Sequence, residues 1–260
     1  MNILLPFRRG RPFTAADGLP VLLYHKVGAY PAGAVMKAQY TSPALFQAHM
    51  AFLHRHGYRT LPPADVSRYV RGETLEVERP IAITFDDGYD CVYHHAFPAL
   101  QRFGFGATIF MLAGAIGGVN DWEQRRTPAV EPMLSAKHII EMAGAGIEIG
   151  SHAMAHQRLT RLSPAELRAT LGDSKRTLED LIGREVSAVA YPFGDHNQAV
   201  RAAAAEAGYS LGFSTERGVN RVGGDLFALK RINVRRYAFV PLLARKLRLA
   251  YLMSGPRAPR

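Results

Sequence analysis

Short apolar runs separated by longer amphipathic stretches are the strongest pattern in this chain. Runs at Val21–His25, Tyr58–Leu61, Ile81–Phe85, Ala107–Leu112, Ile147–Ser151, Ser187–Tyr191 and Tyr209–Ser214 are brief, several are rich in Val, Ile, Phe or Tyr, and most end at Gly, Pro or Asp. They predict seven buried strands. Helical patterns fall between them. Ser42-Pro43 supplies an N-cap with proline at the first helical position; Leu45, Phe46, Met50 and Leu53 form the apolar side, and Gly57 stops the run. Ser163-Pro164-Ala165-Glu166 has capping-box spacing; Leu167, Leu171, Leu178 and Leu181 follow as a stripe, and Gly183 ends it. Ser135 caps a third helix running to about Ala143, and an Ala-rich fourth runs from Asn197 to Ala207 before Gly208.

Strands alternating with helices imply an α/β domain with a parallel sheet. No linker or repeat divides the 260 residues, so a single barrel-like domain is the economical reading, with its active groups at the C-terminal strand ends. Composition agrees, with 48% apolar and 21% charged residues. The single cysteine, Cys91, excludes an internal disulfide and any Cys-rich zinc module. No apolar run reaches the length of a membrane span.

Charge adds an asymmetry. The net charge is +10, and the segment after Glu216 holds eleven basic residues against one acid, Asp225, so it carries the whole excess. Such a segment is a solvated basic face, or it meets an anionic membrane, an anionic glycan or nucleic acid. No nucleic-acid-binding motif accompanies it. The stretch from Val240 to Met253 reads as a basic amphipathic helix with Leu242, Leu243, Leu247, Leu249 and Leu252 on one broad side. It either docks on an anionic membrane or packs on the barrel with its Arg and Lys outward. At the other end, the apolar residues before Arg8 and Arg9 are interrupted by Pro6, the reverse of a secretory signal. Residues 1–19 are therefore expected to form a loose arm, 20–238 the barrel and 239–260 a basic helix and tail. Cytoplasm is the default compartment, with peripheral membrane contact through the tail.

The strand ends collect chemistry. Asp86-Asp87-Gly88 follows one strand, His152 and His156 another, Pro192-Phe193-Gly194-Asp195-His196 a third, and His25 the first. His152 and His156 are four apart, so one helical turn places both rings on one face. Two imidazoles and a carboxylate suit a divalent ion with a position left for water. Adjacent aspartates repel unless a cation or shared proton intervenes. Taken alone, an H-x3-H pair is commonly a surface accident and Asp-Asp-Gly a turn. Their joint placement after apolar strands favours a metal site.

Thr84-Phe85-Asp86-Asp87-Gly88, the His152–His156 pair and Tyr191-Pro192-Phe193-Gly194, in this order, resemble the NodB-type polysaccharide deacetylases. Leu23-Tyr24-His25-Lys26-Val27 resembles the lead strand of the branch that includes the poly-N-acetylglucosamine deacetylases. The likeness covers roughly residues 20 to 235. It implies a distorted (β/α) barrel of about seven strands and a metal-dependent hydrolase that removes acetyl groups from an N-acetylated glycan. By that match Asp87, His152 and His156 hold the metal, with zinc first and cobalt or nickel as alternatives. Asp86 is the general base, and the Phe193 backbone N–H serves the oxyanion. Trp122 resembles the aromatic lining the acetyl pocket, or is simply a loop aromatic. Tyr191, Pro192 and Arg231 are further candidates for substrate contact, Arg231 as a carboxylate or phosphate ligand.

Two departures stand out. The arginine that often precedes the motif proline by two residues is replaced by Ala190, and no histidine follows His196, so the usual late general acid is missing. His25 is the preferred substitute and His196 the alternative, while a purely structural His25 stays open. His49, His54 and His56 are expected to face solvent, and His94, His95 and His138 carry no assignment. Cys91 has no histidine arrangement that would make it a nucleophile. A glycan-binding relative that keeps the metal without catalysis is the competing function.

Overall fold

A computed structural model describes residues 14–34, 36–123 and 130–253. Among them are strands β1 (Val21–Tyr24), β2 (Lys26–Val27), β3 (Tyr40–Thr41), β4 (Arg59–Thr60), β5 (Pro80–Phe85), β6 (Thr108–Met111), β7 (Glu148–Ser151), β8 (Ala188–Ala190), β9 (Leu211–Phe213) and β10 (Ile232–Asn233). The α-helices are α1 (Pro43–Arg55), α2 (Pro63–Val70), α3 (Phe97–Phe103), α4 (Ala136–Gly144), α5 (Pro164–Ile182), α6 (Gln198–Glu206) and α7 (Val240–Met253). The expected caps form: Ser42, Ser135 and Asn197 each accept a backbone N–H, and Ser163 with Glu166 makes a full capping box.

Seven parallel strands form one curled sheet in the order β10-β1-β5-β6-β7-β8-β9, with β4 pairing β5 off this path. The expected run at Tyr58–Leu61 is thus a side strand, and β10 takes the seventh place. The sheet curls until its ends meet. Leu229 N–H donates to Gly212 O at 2.9 Å and Ser214 N–H to Leu229 O at 2.9 Å, while Ile232 pairs with Leu22. The segment containing β10 therefore closes a distorted barrel, as the resemblance implied.

The alternation of side chains explains why the strands read as continuous apolar runs. In β5, Ile81, Ile83 and Phe85 face the helices, and Ala82 faces the interior with Val21, Phe110, Ala188, Ala190 and Phe213. The interior is filled by Phe110, Phe213, Leu211 and Leu229 with small residues beside them. A Cβ at Gly150 would lie 2.5 Å from the Phe110 ring.

The basic helix α7 packs on the barrel. Leu243, Leu247, Ala250 and Tyr251 are buried in the main core, while Leu242, Arg245, Arg248 and Leu252 face outward. His49 departs from expectation. It is fully buried in α1, with Nδ1 3.0 Å from the Tyr24 hydroxyl and Nε2 2.5 Å from Ala238 O, tying α1 to the segment before α7. Residues 14–19, assigned to the arm, also pack against the barrel: Leu19 is buried and exchanges two backbone hydrogen bonds with Asn220. The apolar-basic stretch at Met1–Arg11 lies outside the described residues, as do the last seven residues of the tail. No helix among the described residues is long and apolar enough to cross a membrane.

Candidate active site

Three loops converge at the C-terminal ends of β5, β7 and β8. Each contains a non-glycine residue in the left-handed region: Asp87 (φ 74), Ala153 (φ 67) and Phe193 (φ 61). They are the three such residues described. Left-handed backbone is costly for residues with a Cβ and gathers where geometry is imposed by function. Gly88 completes the first loop, because a Cβ there would lie 2.4 Å from Met111 Sδ.

Asp87 Oδ1 lies 3.4 Å from His152 Nε2 and 3.5 Å from His156 Nε2. These separations are long for hydrogen bonds, and Asp87 Oδ1 is buried with no hydrogen-bond partner. They match the edge of a tetrahedron with metal–ligand bonds of about 2.0–2.1 Å, an edge of about 3.4 Å. The residues fit a divalent ion. His152 Nδ1 bonds Ala190 O at 2.7 Å, which directs Nε2 toward Asp87. The pair reaches this arrangement differently from expectation: His152 to His156 is a loop bent at Ala153, not a helical turn. Ser151 Oγ accepts the Ala153 N–H and fixes that bend.

Asp86 is inward-facing and buried, and Arg231 meets it with two hydrogen bonds, Nη1 to Oδ1 at 2.7 Å and Nη2 to Oδ2 at 2.8 Å. The guanidinium is anchored further by Nε to Ser214 O at 2.8 Å and by Nη1 to Thr84 Oγ1 at 3.3 Å. Arg231 is 1% exposed and so is committed to Asp86; it is corrected from a substrate ligand to the partner of the candidate base. Position 190 holds alanine, and the arginine against Asp86 is supplied from the segment that closes the barrel. The late strand lacks the histidine that the resemblance implies and contributes Arg231 as the partner of Asp86 instead. The inward parity of Arg231 with Leu229 was the available signal.

Charge and burial oppose each other across the cluster. Burial raises the Asp86 pKa, but Arg231 and His152 outweigh it and hold the carboxyl below its usual range. Asp87 is likewise held low against burial by its two histidines. Burial opposes charge on His152, yet Asp86 and Asp87 raise its pKa, whereas burial takes His156 down to about 4. Burial also lowers the His25 pKa, with Asp87, Asp86, Arg231 and His152 as its charged neighbours. His25 follows the β1 residue paired with Phe85, and its Nδ1 is buried without a hydrogen-bond partner.

The other candidates divide. Phe193 is 47% exposed, its ring 4.3 Å from that of His156, and the Trp122 ring stands 5.6 Å from that of His156. Tyr191 is corrected: it follows the inward Ala190, faces outward, is fully buried and donates its hydroxyl to Phe227 O at 3.0 Å. Pro192 is buried too, so both support the turn and neither offers a substrate contact. His196 stacks on Tyr191 and bonds Gly194 O at 3.0 Å. Burial pushes the Cys91 thiol up to about 12, the direction opposite to that of an activated thiolate.

A parallel barrel with an Asp-Asp-Gly turn, a histidine pair and an arginine-clamped aspartate defines a carbohydrate deacetylase architecture, and comparison with known proteins agrees. Residues 76–212 match the polysaccharide deacetylase family, and the chain belongs to it. It is 33% identical over 216 residues to YxkH of Bacillus subtilis (strain 168), named a putative polysaccharide deacetylase, covering 83% of this chain and 71% of that protein. Poly-beta-1,6-N-acetyl-D-glucosamine N-deacetylase of Staphylococcus aureus (strain MRSA252) is 25% identical, covering 78% and 71%. Among solved structures, the Streptococcus pyogenes deacetylase PplD in complex with acetate superposes with a TM-score of 0.78 at 25% identity, covering 88% of this chain and 97% of that one. IcaB from Ammonifex degensii gives 0.74 at 26% identity with the same coverage. The chain is thus a hydrolase of the carbohydrate deacetylase type, acting on amide C–N bonds.

Proposed function

We propose that this protein is a metal-dependent N-deacetylase of a glycan built from N-acetylglucosamine. The observation that carries the reading is the juxtaposition of a carboxylate clamped by Arg231 with the Asp87, His152 and His156 donor set. The similarity to poly-beta-1,6-N-acetyl-D-glucosamine N-deacetylase supports the choice of sugar.

Asp87, His152 and His156 would hold the ion, zinc by donor type and cobalt or nickel by the same criterion. Such an ion polarises a carbonyl and acidifies water. Asp86 takes the proton of the attacking water. Arg231 occupies one lone pair on each carboxylate oxygen and keeps the group ionised and oriented, leaving the remaining lone pairs for that proton. The Phe193 backbone N–H serves the developing oxyanion, and Trp122 and Phe193 flank the acetyl group and exclude water. His25 passes on to the departing amine, which cannot leave as an anion, the proton that Asp86 took from the water. His25 sits among the charged site residues, whereas His196 is bound to the Tyr191 turn.

The outer face of α7 is proposed to touch an anionic membrane surface. Arg245 and Arg248 flank the exposed Leu252, and Tyr237 and Phe239 are each more than 60% exposed nearby in sequence. Positive charge interleaved with exposed apolar side chains complements an anionic interface.

Acetate release from N-acetylglucosamine oligomers tests the main reading. The expected result is turnover that chelator abolishes and zinc, cobalt or nickel restores. Full activity after exhaustive chelation, with no ion left by mass analysis, removes metal dependence. No acetate from any N-acetylated glycan with the ion bound favours the glycan-binding alternative.

A further inference from the structure

A second set of metal-capable side chains lies outside the catalytic cluster, drawn from the segment after the Asp86-Asp87-Gly88 turn and from α4. Asp90, His94 and His138 each bring a donor atom, and these atoms all lie within 4.8 Å of one another. Asp90 Oδ1 is 2.7 Å from His138 Nδ1, and Asp90 Oδ2 is 3.0 Å from His94 Nε2. The two imidazoles stand edge to face, with centroids 5.6 Å apart.

Backbone and packing hold this arrangement. The chain from Val92 to Ala96 forms a widened helical turn, closed by the Phe97 N–H to Val92 O, and it places His94 above Asp90. Turns of this kind are uncommon and are frequent at functional sites. His138 enters from the first turn of α4, where its N–H is capped by Ser135. Its ring lies flat on Tyr93, 3.9 Å between centroids and 8° between planes, and the Tyr93 hydroxyl donates to Glu141 at 2.9 Å. Asp90 and His138 are mostly covered, and His94 is 54% exposed. Two donors are therefore preset, while the third can adjust and leaves room for water.

We propose that Asp90, His94 and His138 form a second divalent transition-metal site of zinc type, separate from the catalytic one and joining the turn after β5 to α4. One carboxylate oxygen with two imidazole nitrogens is a borderline donor set favoured by zinc, nickel or copper over magnesium or calcium. Opening the Asp90–His138 contact from 2.7 Å and the Asp90–His94 contact from 3.0 Å to about 3.4 Å gives the donor separations of a tetrahedral site. The ion replaces two hydrogen bonds that, without it, require both facing ring nitrogens to carry protons. Binding to the folded chain also stabilises it, because the ligands come from two elements that separate on unfolding.

The test is a zinc titration of the whole chain, stripped with chelator, with bound ions counted by elemental analysis and stability followed by thermal unfolding. Two ions are expected per chain. His94→Ala and His138→Ala should each bind one ion and retain acetate release, while His152→Ala should retain the ion at the second site. In the His152→Ala background zinc should raise the melting temperature, and adding His94→Ala should abolish that rise. His94→Ala removes an exposed side chain, so loss of the fold is not expected, and metal-free unfolding of the variant checks it. An ion count left unchanged by both His94→Ala and His138→Ala, or no zinc-dependent rise in melting temperature in the His152→Ala background, overturns the proposal, whichever count the parent shows.

Discussion

Arg231 and Asp86 meet as a two-point ion pair inside the barrel across 145 positions of sequence. A buried carboxylate left alone is costly, about 3–5 kcal/mol when one partner of such a pair is removed. Arg231→Met should therefore destabilise the protein by about that amount in urea unfolding. Asp86→Asn added to Arg231→Met should recover part of the loss, because no isolated charge then remains. An additive further loss in the double variant would show that the pair is not the source. With Arg231 gone, burial dominates Asp86 and raises its pKa, so the acid limb of any residual activity should move to higher pH.

The two neighbouring aspartates should separate by assay. Asp86→Asn is expected to keep its ion and lose about 10²–10⁴-fold in kcat, the range for a general base. Asp87→Asn should lose the ion with its activity. Metal analysis beside acetate release decides it, and a metal-free Asp86→Asn reverses the roles.

His25 is tested by leaving group. An amine departs protonated, whereas an aryl oxide leaves unaided, so His25→Ala should reduce kcat for an N-acetyl amide far more than for an aryl acetate ester. Equal losses on the two substrates assign His25 a structural role and send the same test to His196.

His49 makes stability depend on pH. Its pKa falls from 6.5 in the open chain to about 4 in the fold, chiefly through burial. Between those values the unfolded state binds more protons. Stability is thus complete above about pH 6.5 and declines as pH falls toward 4, by about 3 kcal/mol in all. His49→Gln keeps a hydrogen-bonding side chain without titrating. The stability difference between pH 7 and about 4.5 should be smaller in this variant than in the parent; equal differences would place the titration elsewhere.

Membrane contact through α7 calls for charge reversal, since truncation would strip Leu243 and Leu247 from the core. The parent should co-sediment with anionic vesicles and not with neutral ones, with attraction of about 1 kcal/mol per basic residue. Arg245→Glu with Arg248→Glu should lose this binding and keep the fold. Indifference to lipid charge, or no binding, rejects the contact.

The Asp87, His152 and His156 cluster and the candidate base were legible because strand ends expose their chemistry to pattern reading: an apolar lead, then Asp-Asp-Gly or a histidine pair. What escaped was direction and distance. His49 sits three residues after Phe46 and four before Leu53, squarely on the apolar side of α1, yet its residue type suggested solvent. Tyr191 looked like a site residue by adjacency, although strand alternation turns it away from the inward Ala190. The β2–β3 pairing involves two residues on each strand, too few to leave a periodic signal. The His152–His156 pair was recognised for a helical spacing that the bend at Ala153 replaces.

The position of Arg231 also sets a schedule. A chain made from its N-terminus has Asp86, Asp87, His152 and His156 in hand long before the residue that neutralises Asp86 emerges. Until then, burying Asp86 in a closed barrel means burying an unpaired charge, and the closing segment itself is absent. The nascent protein can therefore assemble its earlier strands and helices but cannot finish its reaction centre until residue 231 has been synthesised. A ribosome-bound or prematurely terminated product ending before residue 231 is expected to be an open, inactive sheet, which makes the emergence of that residue a threshold for activity.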